Sequence, residues 1–273
     1  MKRILGLFIL IFAFFTVTVK AAPDIRAVQG KVKDGYNFML YTPAAASDSA
    51  AKPLIIFLHG ASLCGNNLDR VKRYGPLHAI SMGRSLDAYV VAPQNPGGSW
   101  NPRKVMNVVD YVENECKIDT SRIYVIGMSL GGYGTTDVAA TYPDRIAAAV
   151  SICGGGTVKD YSGLAKVPFW IIHGTGDRAV SVTESDRVVE AVNKARAEGD
   201  SVRITYDRIS GMDHAQPARL LYSAPVYEWL LSHSLNDKNR AAKPTFELTE
   251  QVFKNAYNGL TSQTRRSRRR HSR

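Results

Sequence analysis

Gly127-Met128-Ser129-Leu130-Gly131 sets a serine between two glycines, after the apolar run 122–126 and before a stretch of helical character. A serine on so tight a strand-to-helix turn is held in strained backbone geometry, with its hydroxyl raised into a cleft. Such a hydroxyl could attack a carbonyl carbon. Near neutral pH it is a poor nucleophile, so it needs a base to take its proton and a third group to fix that base in the right tautomer.

The chain has six histidines to test. His59 and His173 each precede a glycine directly after an apolar run, the position of a strand end, and are expected to be structural. His233 follows a helical pattern, His271 lies among arginines, and His78 carries no partner signal. His214 remains, in the short loop Gly211-Met212-Asp213-His214 after the strand-like run 202–208. For the acid, His173-Gly174-Thr175-Gly176-Asp177 places a carboxylate in a glycine-containing loop after the strand-like run 169–172. Asp177 is the candidate, against a competing reading as a turn-forming residue. A histidine base predicts activity that falls as the ring gains a proton, below about pH 6–7.

The tetrahedral intermediate of acyl transfer also needs preorganised N–H donors. The amides of Leu130, just after the serine, and of Ala61, in His59-Gly60-Ala61-Ser62, are the candidates.

These residues need a scaffold. Apolar runs predict strands at 29–32, 37–41, 54–58, 88–92, 122–126, 146–152, 169–172 and 202–208, most of them continuous enough to be buried on both faces. Helices are predicted at 102–116, after Ser129 and at 183–197, with Val105, Val108, Val109 and Val112 at helical spacing facing the sheet. The alternation describes an α/β fold with a mostly parallel sheet of about eight strands and helices on both faces. Ligands of such sheets bind beyond the strand carboxyl ends, where every proposed loop falls. Trp100 and Asn95, in a Gly/Pro-rich loop, are expected to line the pocket.

Lys2 and Arg3, the apolar run 4–19 and small residues up to Ala21 read as a secretory signal peptide over 1–21, an uncleaved anchor being the competing reading. The chain would then be secreted or periplasmic, with one catalytic domain at 22–235 and a C-terminal extension at 236–273. The formal charge of +11 is mostly local, because Lys2, Arg3, Lys20 and six arginines between Arg265 and Arg273 carry it. The near-neutral body argues against nucleic acid as a partner. The arginine-rich tail is a solvated end or a weak contact for an anionic surface. Three cysteines, Cys64, Cys116 and Cys153, are too few for a disulfide scaffold; isolated thiols are expected, and Cys64 with Cys153 is the one pairing considered. In the extension, Pro244 is expected to open an amphipathic helix carrying Phe246, Phe253, Tyr257 and Leu260 on one face.

The segments Phe57 through Ala61, Val91-Ala92-Pro93-Gln94 and Arg122 through Gly134, with the Asp177 and His214 loops, resemble the secreted esterase and predicted-peptidase group of α/β-hydrolases. That group is similar to dienelactone hydrolases, phospholipase/carboxylesterases and feruloyl or acetylxylan esterases. The order Ser129, Asp177, His214 is the one this fold uses. The resemblance implies hydrolysis of a carboxylic ester, small or carried on an oligosaccharide, through an acyl-serine intermediate without metal or organic cofactor. A serine peptidase or phospholipase of the same fold shares these residues. An inactive carbohydrate- or lipid-binding module is the alternative of another class. The serine separates the chain from true dienelactone hydrolases, which use cysteine.

Overall fold

The computed structural model describes residues 24–44, 50–197 and 200–260. The signal-peptide reading of 1–21 and the arginine-rich tail lie outside them. In chain order the elements are β1 (Asp24–Val28), β2 (Phe38–Thr42), β3 (Lys52–Leu58), α1 (Pro76–Ser81), β4 (Tyr89–Pro93), α2 (Pro102–Glu115), β5 (Ile118–Met128) and α3 (Leu130–Thr141). They continue with β6 (Ala148–Ile152), β7 (Phe169–Gly174), α4 (Thr183–Ala195), β8 (Ile204–Ile209), α5 (Ala224–Leu231) and α6 (Glu250–Asn255).

The strands form one eight-stranded sheet in the order β1-β2-β4-β3-β5-β6-β7-β8. β2 runs antiparallel to both β1 and β4, and every pairing from β4 to β8 is parallel. This is the α/β-hydrolase architecture expected from the sequence. Side chains alternate across a strand, and β3 shows the consequence. Ile55 and Phe57 join the core on one face, while Leu54, Ile56 and Leu58 join the core on the other. A strand covered by helices on both sides must be apolar throughout, hence Leu-Ile-Ile-Phe-Leu. Val105, Val108, Val109 and Val112 of α2 are all fully buried in the second core, as their spacing requires.

The expected strand at 29–32 is not there. Gly30 has φ +65°, and residues 30–35 form bends and a turn, while β1 lies upstream at the sheet edge with mostly exposed side chains. The C-terminal helix is also shorter than expected. Pro244 sits in chain without regular structure, and α6 begins only at Glu250. Phe246 still reaches the core from that chain, packing edge-on against Trp170 at 5.2 Å. No helix among the described residues is long and apolar enough to cross a membrane.

Candidate active site

Sheet order decides which loops meet. β3 and β5 are neighbours, so the His59-Gly60-Ala61 loop lies beside Ser129; β7 and β8 are neighbours, so the Asp177 and His214 loops lie side by side. The latter loops are laced together by Thr175 N–H to the Ile209 carbonyl at 2.8 Å and Gly176 N–H to the Met212 carbonyl at 2.9 Å.

Ser129 has φ 58° and ψ −124°, left-handed backbone that a non-glycine residue rarely adopts. Its N–H donates to the Ile152 carbonyl at 2.8 Å, and its carbonyl accepts from Tyr133 N–H as α3 begins. The flanking glycines have a steric cause. A Cβ at position 127 would sit 2.2 Å from the Gly131 carbonyl oxygen, and one at 131 would sit 1.8 Å from that of Leu58. The elbow is therefore wedged against β3 with no room for a methyl group.

Asp177 and His214 are joined. His214 Nδ1 lies 2.6 Å from Asp177 Oδ2, with the carboxylate side chain fully buried and the imidazole a quarter exposed. The other carboxylate oxygen accepts the N–H groups of Ala179 and Val180, each at 2.8 Å. Burial alone would raise the Asp177 carboxyl, but the Val180, His214 and Ala179 hydrogen bonds outweigh it and hold the group below the usual carboxylate range.

Ser129 and His214 line one cavity of about 480 Å³, together with Gly60, Ala61, Tyr74 and Tyr222 among others. No direct hydrogen bond links the serine hydroxyl to the imidazole among the described residues. Ala61 lines the cavity, and neither its amide nor that of Leu130 donates a hydrogen bond to another described residue. The Gly60 amide is engaged, donating to the Tyr74 hydroxyl at 2.6 Å.

Trp100 and Asn95 are not where the sequence reading put them. Trp100 is 3% exposed, its indole N–H donating to the His59 carbonyl and its ring packed where a Cβ on Gly134 would lie. Asn95 is 1% exposed and closes its own loop through Gly97 and Gly98. Neither lines the cavity; the loop turns them inward to hold the strand ends.

His173 is the residue that sequence reasoning undervalued. It ends β7 as expected, yet its Nε2 lies 3.1 Å from Asp177 Oδ2 and 3.0 Å from the Val180 carbonyl oxygen. Two acceptors require the proton on Nε2, while burial pushes the ring toward its neutral form. Nδ1 faces Ser185 Oγ at 2.8 Å. The four-residue separation in His-Gly-Thr-Gly-Asp was the available signal, since so short a loop returns the acid onto the strand that precedes it. His59 is structural, accepting Asn95 N–H on Nε2 at 3.1 Å. His78, without partner signal in sequence, meets the Tyr222 hydroxyl at 2.9 Å. The three cysteines are free, and buried Cys153 brings its sulfur within 4.8 Å of ligand atoms of Asp177 and His214. Burial and the nearby Asp177 charge push that thiol far up, which opposes metal binding as thiolate.

The fold is that of an α/β-hydrolase, and the chain is similar to esterases of that fold. Residues 87–163 match the prolyl oligopeptidase family. The chain is 30% identical over 138 residues to poly(3-hydroxyalkanoate) depolymerase C of Paucimonas lemoignei, a match covering 44% of this chain and 32% of that protein. It is 26% identical over 168 residues to a bifunctional acetylxylan esterase/xylanase of Neocallimastix patriciarum, covering 58% and 23% respectively. The chain thus spans a third or less of these relatives. Among solved structures, a thermostable esterase superposes with TM-score 0.63 at 25% identity, over 77% of this chain and 63% of the other.

Proposed function

We propose that this chain is a secreted serine hydrolase that cleaves carboxylic esters through an acyl-serine intermediate, its substrates including esters of acyl groups carried on carbohydrate. The observation that supports it most is the placement of an elbow serine, Ser129, and the Asp177-held imidazole of His214 on the wall of one cavity. The reaction requires His214 Nε2 to reach the Ser129 hydroxyl across the cavity that both residues line. The imidazole then takes the serine proton as Oγ attacks the ester carbonyl, and Asp177 stabilises the imidazolium. The amides of Ala61 and Leu130 hold the oxyanion, the alcohol leaves with the proton from His214, and water repeats the cycle on the acyl-enzyme. No step needs a metal or organic cofactor.

A fluorophosphonate should label Ser129 in the wild type and leave Ser129→Ala unlabelled. Hydrolysis of short acyl esters and acetylated or feruloylated oligosaccharides should vanish in the same variant. Absence of labelling and of turnover in the wild type would leave a binding module. The prolyl oligopeptidase match supports a second reading, a serine peptidase. That match ends before both Asp177 and His214, and peptide anilides tested beside the esters separate the two.

A further inference from the structure

We infer that Tyr257, carried into the cavity by the C-terminal segment 241–260, is a specificity-determining residue that selects esters bearing a planar apolar group. The inference rests on the ester-hydrolase reading and adds to it the class of substrate.

The segment is not part of the sheet architecture, which is complete at β8, yet it is anchored at several points. Lys243 N–H donates to His233 Nε2 at 2.9 Å, and its carbonyl accepts the Trp229 indole N–H at 3.0 Å. Phe246 packs on Trp170, and on α6 and the turn after it Phe253 and Ala256 are 3% and 2% exposed. Chain fixed at these sites has little freedom left, and the turn after α6 delivers Tyr257 to the wall that Ser129 and His214 share. There the ring lies 4.5 Å from that of Tyr222 at 34°, with the Arg219 guanidinium 5.9 Å from its centre. Tyr222 is itself held by His78. The Tyr257 ring is thus preorganised, and ordering it on binding costs little.

The cavity's composition points to the ligand. Tyr74, Met128, Ala218, Tyr222 and Tyr257 make its walls largely apolar, and about 480 Å³ is far more than an acetyl group fills. Tyr257 remains 37% exposed, one of two large hydrophobic side chains so exposed among the described residues. A flat apolar group in the cavity would cover it and gain the area and ring-contact energy together.

The test measures kcat and KM of the full chain and of Tyr257→Ala and Tyr257→Phe for methyl 3-phenylpropenoate, benzyl acetate and methyl acetate. Tyr257→Ala should lower kcat/KM for at least one ring-bearing ester about tenfold relative to methyl acetate, mainly through KM. Tyr257→Phe should restore that ratio to within about twofold, because the ring is what counts. Equal changes on all three esters, or an unmoved ratio, overturn the inference while leaving the hydrolase reading intact. Loss of that reading shows separately, as turnover that survives in Ser129→Ala. A measurement independent of the variants' folding is product inhibition of the wild type. 3-Phenylpropenoate or benzyl alcohol should inhibit at least tenfold more strongly than acetate or methanol, and equal inhibition overturns the selection.

Discussion

His173 and His214 converge on a single atom, Oδ2 of Asp177, at 3.1 and 2.6 Å. The carboxylate is thereby clamped from three directions, since its other oxygen takes two backbone amides. His173 is buried and does not line the cavity, so its part is to hold the Asp177 carboxylate in place. Hydrogen bonds to a charged group contribute about 1.5–3 kcal/mol. Replacing His173 by Ala should therefore lower kcat/KM on an ester by at least about tenfold. His173→Gln, which can return an N–H to nearly the same place, should recover most of it, and equal losses in both variants would make the ring mere packing.

Gly131 is fixed by the Leu58 carbonyl rather than by its own dihedrals. A methyl group there would lie 1.8 Å from that backbone oxygen, so either β3 or α3 must shift. Gly131→Ala should cost about 3 kcal/mol or more, read as a fall in the denaturant midpoint. It should also reduce fluorophosphonate labelling, because the shift moves Ser129.

Much of this was legible because burial writes itself into residue type. The run 54–58 reads as a strand because both its faces are covered, and the valines of α2 name the face they bury. β1 was not legible. It is an edge strand with exposed Asp24, Arg26 and Ala27, whose pairing with β2 is supplied by the partner and not by its own pattern. The start of β5 was missed likewise, since residues 118–121 are largely polar and join the sheet through Lys52 pairing with Ile118. Asp177 and His214 could be placed by loop context, whereas Trp100 and Asn95 could not, because loop sequence does not fix which way a side chain turns. The spacing put Tyr257 on an amphipathic face, but its contact with Tyr222 was not legible, because Tyr257 lies in the turn after α6 and irregular chain over 241–249 carries that turn to its place.

Three histidines, His59, His173 and His233, are at most 1% exposed, and burial pushes each ring's pKa below its ordinary value of 6.5. Below pH 6.5 the unfolded chain therefore binds protons at these rings that the folded chain refuses. More protons on the unfolded state means that stability rises with pH in this window and is lost as pH falls through it. Each ring can contribute up to about 1.4 kcal/mol per pH unit. The melting temperature should accordingly drop between pH 7.5 and 5, and a flat profile over that range would show that these rings are not buried neutral.

Tyr74 links the cavity wall to the loop that carries Ala61, the proposed oxyanion donor. Its hydroxyl accepts the Gly60 amide at 2.6 Å, which fixes the peptide immediately before Ala61, and burial keeps the phenol protonated. Tyr74→Phe preserves the ring and its edge contact with Phe57 while leaving the Gly60 N–H without its acceptor. That amide will seek another partner, and the loop carrying Ala61 will rotate with it. Because an oxyanion donor acts only once charge develops, the loss should fall on kcat, about tenfold, with KM changed less than twofold. Affinity for a boronate or trifluoromethyl ketone, which place an oxyanion at the same site, should fall in proportion to kcat/KM. A rise in KM at constant kcat would instead limit Tyr74 to its place in the cavity wall, with no part in holding the loop that carries Ala61.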